Sequence, residues 1–280
     1  MDQPVLKVNL HTHTNRCRHA SGTIQDYCRE AQKAGIKILG FSDHGPFPDY
    51  EYHPERMYYS ELPDYVREIE EAQAEFPDLI LLKGLEMDYR PYLGKSFYEE
   101  EYFGRFGLDY LIGGQHYIPP SAANTAIHVD YISPLPISFM KKFAEASVVT
   151  METGLIDYFN HPDLMAMSCD RWTPDHRAAM KDILDAAIDL DIPLEINAYG
   201  FRKPYIDTPD GRRPQYPWRP FWEMAAETKV KVVIGMDAHK PEDVHSNYAE
   251  VKAFADELGF VPCNDEVAEK ILARKKMKSR

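Results

Sequence analysis

Short apolar runs alternate along this chain with longer stretches of helical periodicity, and few architectures accommodate that alternation. The runs are Val5–Leu10, Ile36–Phe41, Leu79–Leu85, Tyr110–Gly113, Tyr158–Asn160, Pro193–Ile196 and Lys231–Ile234. The helical pattern falls on Ile24–Ala34, Glu61–Glu75, Ser138–Thr150, Asp175–Leu190, Pro220–Thr228 and Asn247–Leu258. Thr23 with Asp26 makes a capping-type start for the first helix, and Gly35 a stop, since glycine accepts the left-handed backbone that closes a helix. Such alternation builds parallel βαβ units. Seven strands suit a closed or nearly closed barrel better than two doubly wound halves. The expected fold is an α/β, TIM-like barrel of seven strands, in one domain over residues 1–280.

Barrels of this kind build their active sites at the C-terminal ends of the strands, and the metal-competent side chains concentrate there. Of eleven histidines, His11 and His13 follow the first run, His44 the second, His116 the fourth and His161 the fifth. Glu86 ends the third run, and Asp237 with His239 follows the seventh. Alternate residues of an extended segment share a side, so His11 with His13, and Asp237 with His239, can converge. One His-X-His pair alone is more often a surface or core feature than a ligand pair. Repetition at successive strand ends is what makes a pattern. A carboxylate such as Glu86, directly after an apolar run, also needs a cationic partner. Imidazoles and carboxylates without thiolates suit zinc, iron or manganese in a hydrolytic or oxidative site. Two such ions about 3.5–4 Å apart would activate a water for attack on phosphorus.

Charge narrows the choice of partner. With 32 Lys+Arg against 45 Asp+Glu the net charge is −13, which argues against a nucleic-acid coat or an anionic-membrane binder. A phosphorylated small molecule stays compatible, because bound metal supplies local positive charge. Cys17, Cys28, Cys169 and Cys263 have no paired spacing, and reduced thiols in a cytoplasmic protein are expected. The first residues lack a basic segment followed by an apolar one, and no run of ~18 apolar residues occurs, so neither a signal peptide nor a membrane span is expected. The basic stretch Ala273–Arg280 reads as a frayed, solvated end.

The motifs His-Thr-His-Thr at His11–Thr14, Cys-Arg-His-Ala at Cys17–Ala20, Ser-Asp-His at Ser42–His44, Gly-Leu-Glu at Gly84–Glu86 and the segment Asp237–Asp243 resemble the polymerase-and-histidinol-phosphatase (PHP) superfamily. Within it the chain is most similar to PHP-type histidinol-phosphate phosphatases, through Leu194–Asn197, Gly200–Pro204 and Tyr216–Pro217. The resemblance implies the PHP fold, a distorted (β/α)7 barrel, and a cluster of three divalent ions (zinc, iron or manganese). The implied ligands are His11, His13, His19, His44, Glu86, His116, His161, Asp237 and His239. His19 enters this set only through the resemblance, since a loop histidine is otherwise a solvated one.

The implied activity is hydrolysis of L-histidinol phosphate to L-histidinol and inorganic phosphate, a step of histidine biosynthesis, by in-line attack of a metal-bound hydroxide. Asp43 and His44, with Asp237, are the expected catalytic side chains, Asp43 orienting a ligand or handling a proton. Arg202 and Lys203 are expected to grip phosphate, Asp207 or Asp210 to read a cationic organic half, and His245 to reach the pocket mouth. His53, His128 and His176 read as ordinary surface or structural residues. Asn160 stands where the family usually has Gly, and Met236 where it usually has Ser; the segments Pro119–Pro136 and Tyr205–Gln215 are longer than usual. The Asn160 and Met236 changes leave the ligand atoms intact, whereas the two long segments lie on the face where substrate enters; the other readings are a PHP phosphotyrosine phosphatase, a PHP nuclease, or a non-catalytic binding module.

Overall fold

The computed structural model describes residues 5–49, 55–118 and 134–278, and the backbone of 127–128. Seven parallel strands form one sheet: β1 (Val8–Asn9), β2 (Ile38–Phe41), β3 (Ile80–Asp88), β4 (Tyr110–Gly114), β5 (Tyr158–Phe159), β6 (Leu194–Asn197) and β7 (Val232–Gly235), neighbours in that order. The register runs through Val8↔Ile38, Ile38↔Ile80, Gly84↔Tyr110, Ile112↔Tyr158, Phe159↔Leu194 and Leu194↔Val232. Beyond the ends of β1 and β7 a parallel bridge joins Thr12 to Ala238, with His13 N–H donating to Ala238 O at 2.9 Å. That bridge brings the first and last strands together and nearly closes the barrel, as the alternation predicts.

The helices are α1 (Ile24–Ala34), α2 (Leu62–Glu75), α3 (Ile137–Glu152), α4 (Pro174–Asp189), α5 (Arg219–Ala226), α6 (Tyr248–Glu257) and α7 (Asn264–Lys278). Thr23 and Asp26 form a reciprocal capping box, and Gly35 ends α1 at φ 76°. Tyrosines fill much of the interior, each hydroxyl needing a partner. Tyr110, fully buried, donates to Leu10 O at 2.8 Å. A Cβ on Gly84 would fall 2.3 Å from the Tyr110 ring, so the small residue on β3 admits the large one on β4.

Two elements depart from expectation. Gly94–Phe97 and a wide π-helical stretch, Tyr98–Arg105, occupy a region to which the apolar pattern assigns no element, and bury Tyr98 and Tyr102. The C-terminal stretch is also no frayed end as far as Lys278. It belongs to α7, whose Val267, Ala268 and Ile271 pack on Val8, Leu82, Tyr110, Tyr158 and Val233 inside the barrel. Arg274 reaches Asp157 at 2.8 Å and Lys275 reaches Asp109 at 2.8 Å, so its basic residues are used at the edge of a buried contact. All four cysteines are free thiols. Among the described residues, no helix is long and apolar enough to cross a membrane.

Candidate metal centre

The C-terminal strand ends bring the nine predicted donors into one cluster. The Thr12–Ala238 bridge sets His11 and His13 beside Asp237 and His239, and a second parallel bridge sets His44 beside Glu86. Eight of the nine are buried, and His19 alone is exposed. Three groups, His11–His13–Asp237, His11–Glu86–His161 and His13–His44–His239, each offer donor atoms within 4.8 Å of one another. His19 joins through its Nε2, 3.1 Å from His239 Nε2, while its Nδ1–H can donate to Cys17 O at 2.8 Å.

The geometry inside the cluster is that of ligands around cations. His11 Nε2 and His13 Nε2 stand 3.2 Å apart. Two imidazole nitrogens that close cannot both carry protons; at least one presents a lone pair inward. Asp237 Oδ1 approaches His13 Nε2 to 3.2 Å and His11 Nε2 to 3.4 Å, yet it is buried with no aligned hydrogen bond. His13 Nδ1 and His161 Nδ1 are likewise buried and unbonded. Orphaned buried polar atoms are costly, and divalent ions between these donors would satisfy the inward-facing ones. The residues present fit the metals that the motifs imply.

Electrostatics point the same way. Burial would raise the pKa of Glu86, but His116, His44 and His11 outweigh it and hold the carboxyl well below its usual range. Asp237 is likewise held low against burial by His11, His13 and His239. Burial lowers His44 and His239 well below the ordinary imidazole value, leaving them as neutral donors. His13 resists burial through Asp237, Cys17 and Glu86 and is pushed up to about 10. His11 is raised against burial by Glu195, Asp237 and Glu86. The ionised carboxylates thus favour positive charge among the rings of His11 and His13, the charge that divalent ions between them would supply.

A ring of acceptors fixes the ligands from behind, and sequence reasoning missed most of it. Glu195 on β6 is fully buried; its Oε1 bonds His11 Nδ1 at 2.7 Å, and its Oε2 accepts from His161 N at 3.1 Å and Asn197 Nδ2 at 2.8 Å. Only glycine fits opposite, since a Cβ on Gly235 would sit 1.5 Å from Glu195 Oε1. Asn197 also donates to Asp237 Oδ2 at 3.1 Å. The Leu-Glu-Ile-Asn strand thus aims two polar side chains, two residues apart, at one site. Asp88 holds His116 through Nδ1 at 3.2 Å and is paired in turn with Arg56 at 3.1 Å. The signal for both was a carboxylate inside an apolar strand. Asp43 accepts from Thr14 N at 2.8 Å and Thr14 Oγ at 2.9 Å, bracing the loop after His13. It does not line the cavity, so the orienting part of its expected role is what its geometry serves.

Asn160, in the usual glycine position, places its amide against Glu86 and 2.8 Å from His161 Nε2, so the departure enters the cluster itself. Cys17 was given no role, yet its buried thiol lies 4.0 Å from His19 Nε2. Burial would raise that thiol's pKa, but His13 and His19 lower it.

A cavity of about 310 Å³ opens over the cluster, with His19, His44, Glu86, His116, His161, Asp237 and His239 as its floor. Lys203 lines it, its ammonium 4.9 Å from the Tyr199 ring and 5.7 Å from the Tyr216 ring. Arg202 corrects the expectation of a phosphate grip. Its guanidinium turns away and donates to Met236 O at 2.6 Å and Asp237 O at 3.0 Å, with Asp243 at 3.5 Å. Asp237 has φ 49° and His161 φ 27°, a backbone region costly for non-glycine residues. Arg202 therefore clamps a strained turn that carries a donor. His245 is exposed and outside the cavity lining, as are Asp207 and Asp210 on a hairpin (Ile206–Thr208 with Gly211–Arg213), so none of the three is placed to read substrate. His176 closes the capping box of α4 with Thr173. His53, the side chain of His128 and most of Pro119–Pro136 lie outside the described residues.

With this geometry in place, comparison with known proteins settles the family. The PHP domain model matches residues 9–199, well over half of the chain. The chain belongs to the PHP domain family. This PHP chain is 32% identical to the "Probable histidinol-phosphatase" of Deinococcus radiodurans, over 88% of this chain and 92% of that one. It is 23% identical to the "Probable phosphatase YcdX" of Escherichia coli, over 91% and 87%. Its fold is similar to that of the histidinol phosphate phosphatase of Lactococcus lactis, solved with Zn, L-histidinol and phosphate: TM-score 0.68, 19% identity, 92% of this chain and 96% of that one. The nearly closed seven-stranded barrel is thus a PHP fold.

Proposed function

We propose that this PHP protein is a metal-dependent phosphomonoesterase whose substrate is L-histidinol phosphate. One observation carries the reading: nine His, Asp and Glu donors converge beneath a cavity of about 310 Å³, seven of them forming its floor, near the small end of the range of about 300–1,000 Å³ for small-molecule sites. The substrate is supported by the Deinococcus relative, whose name is that of a histidinol-phosphatase, and by the Lactococcus protein bound to histidinol and phosphate. The nine donors would hold up to three divalent ions, which supply an activated water at neutral pH and neutralise charge on the phosphoryl oxygens.

The chain's own residues do the rest. Glu195 and Asp88 fix the rings of His11 and His116, so the lone pairs that face the cluster are set before substrate arrives. Arg202 holds Asp237 in its strained turn. Lys203 adds a point charge at the cavity wall for the phosphate dianion, kept in place by Tyr199 and Tyr216. Eight of the nine donors are buried, so the cluster meets solvent only through the cavity above it.

Phosphatase action on another small phosphomonoester is the second reading, favoured by the similarity to YcdX, named only as a probable phosphatase. Side-by-side kcat/KM values on histidinol phosphate, other small phosphomonoesters, a phosphotyrosine peptide and single-stranded DNA test both. The proposal expects histidinol phosphate to lead by at least ~10-fold. Equal rates across the small esters would leave a phosphatase of other specificity, and preference for peptide or DNA would overturn the small-substrate reading.

A further inference from the structure

We infer that Cys17 is a tenth donor of the metal centre, its sulfur acting with the ring nitrogens of His19 and His239 on the ion that the exposed His19 reaches. The inference rests on the metal-dependent reading above, and it is independent of which phosphomonoester the protein hydrolyses.

The buried cysteines keep different company. Cys28 and Cys169 pack within the main apolar core, as a thiol buried for its bulk does. Cys17 has no exposed surface either, yet among the described residues it belongs to neither apolar cluster. It sits among donors instead. Its sulfur lies within 4.8 Å of donor atoms of His19 and His239, and likewise of His13 and Asp43.

The backbone brings that sulfur and the two outer imidazoles together. Thr14 caps the short turn Asn15–Cys17, with Cys17 N donating to Thr14 O at 3.1 Å, and Ser21 N donates to His239 O at 2.9 Å. The loop is thus tied to the residue whose ring it meets. Within it Cys17 O accepts from His19 Nδ1 at 2.8 Å, and across from it Asp237 O accepts from His239 Nδ1 at 3.0 Å. A carbonyl oxygen can only accept, so each Nδ1 carries its ring's proton, and the neutral rings turn their Nε2 lone pairs toward each other at 3.1 Å. Two facing lone pairs call for a cation. The Cys17 sulfur stands 4.0 Å from His19 Nε2, long for an S–H hydrogen bond. It is within reach of an ion shared with that nitrogen, since Zn–S and Zn–N bonds are about 2.3 and 2.1 Å. On binding, the ion would displace the thiol proton to solvent and take the thiolate as ligand. A sulfur donor favours zinc over manganese at this one position, whereas the carboxylates elsewhere in the cluster accept either.

Cobalt(II) substitution tests the assignment without turnover. Cobalt enters zinc sites, and a thiolate–cobalt bond gives an intense near-ultraviolet charge-transfer band that nitrogen and oxygen donors do not. The cobalt-loaded protein should show that band. Cys17→Ser should abolish it while the visible absorption of bound cobalt persists, and Cys263→Ser, which removes the partly exposed thiol, should leave it intact. In competition with a chelator, Cys17→Ser should give up one zinc ion at least ~10-fold more readily, with manganese affinity changed by less than about 2-fold. Bound cobalt without the band, or a band that survives Cys17→Ser, would overturn the assignment and leave the metal-dependent reading standing. A protein that takes up neither cobalt nor zinc would overturn both.

Discussion

At the C-terminal ends of β1–β7 the barrel gathers nine metal-competent side chains, two of them on strained backbone. At the opposite end α7 covers an apolar interior of Val8, Leu82, Tyr110, Tyr158 and Val233 with Val267, Ala268 and Ile271. The two ends obey different rules. The donor end buries carboxylates and crowds imidazoles, an arrangement that costs stability until cations occupy it. The α7 end buries aliphatic and aromatic surface and is finished by ion pairs at its rim, which contributes stability and no chemistry. Function and stability are thus separated along the barrel axis, as is general for barrels of this class.

Substitutions at the two ends should therefore fail in opposite ways. The largest effect belongs to the donor end: His11→Ala or Asp237→Ala should lower kcat by more than ~10³-fold and reduce bound metal, with the fold retained. Near-normal turnover in either would break the comparison. Ile271→Ala at the α7 end should instead cost about 2–4 kcal/mol in denaturant unfolding, since it empties a fully buried site. Its kcat per folded molecule and metal content should match wild type.

Smaller effects sharpen the boundary between ligands and the residues that hold them. Glu195 accepts on both oxygens, and a carboxamide can accept on only one. Glu195→Gln should thus weaken metal affinity about 10–100-fold in chelator competition, as losses behind a ligand generally do. Arg202→Ala should act through Asp237, lowering kcat/KM for all phosphomonoesters together with metal retention. A loss confined to substrate binding, with metal retention intact, would restore the phosphate role that its position in sequence suggests. Lys275→Met removes the partly exposed partner of the buried Asp109 carboxylate and should cost about 1–2 kcal/mol of stability, with activity unchanged.

What could be read from sequence was the backbone order and the chemistry at strand ends. Eight of the donors were legible because a strand end is marked by the close of an apolar run, and the side chains one to five residues on fall at the barrel mouth. His19 sits in a loop, where only its Cys-Arg-His-Ala setting distinguishes it from a solvated histidine. Arg202 was misjudged because sequence places a residue after a strand but does not say which way a long side chain turns. Here the turn is set by the carbonyls of Met236 and Asp237, 34 and 35 residues away. α7 was hidden by composition: its lysines and arginines dominate, and the three apolar residues that matter, Val267, Ala268 and Ile271, form a narrow stripe. Asn264, which bonds Ile234 N at 2.9 Å and Ile234 O at 2.8 Å, anchors the start of that helix against β7.

Elemental analysis of protein purified without chelator, paired with its melting temperature before and after EDTA, tests the central claim most directly. The account predicts about three divalent ions per chain, loss of phosphatase activity with their removal, and a fall in melting temperature as the buried carboxylates lose their counter-ions. Asp237→Ala should begin with fewer ions and show a smaller fall, and Ile271→Ala the full one. A folded, active protein that holds no metal and melts at the same temperature with or without chelator would contradict it.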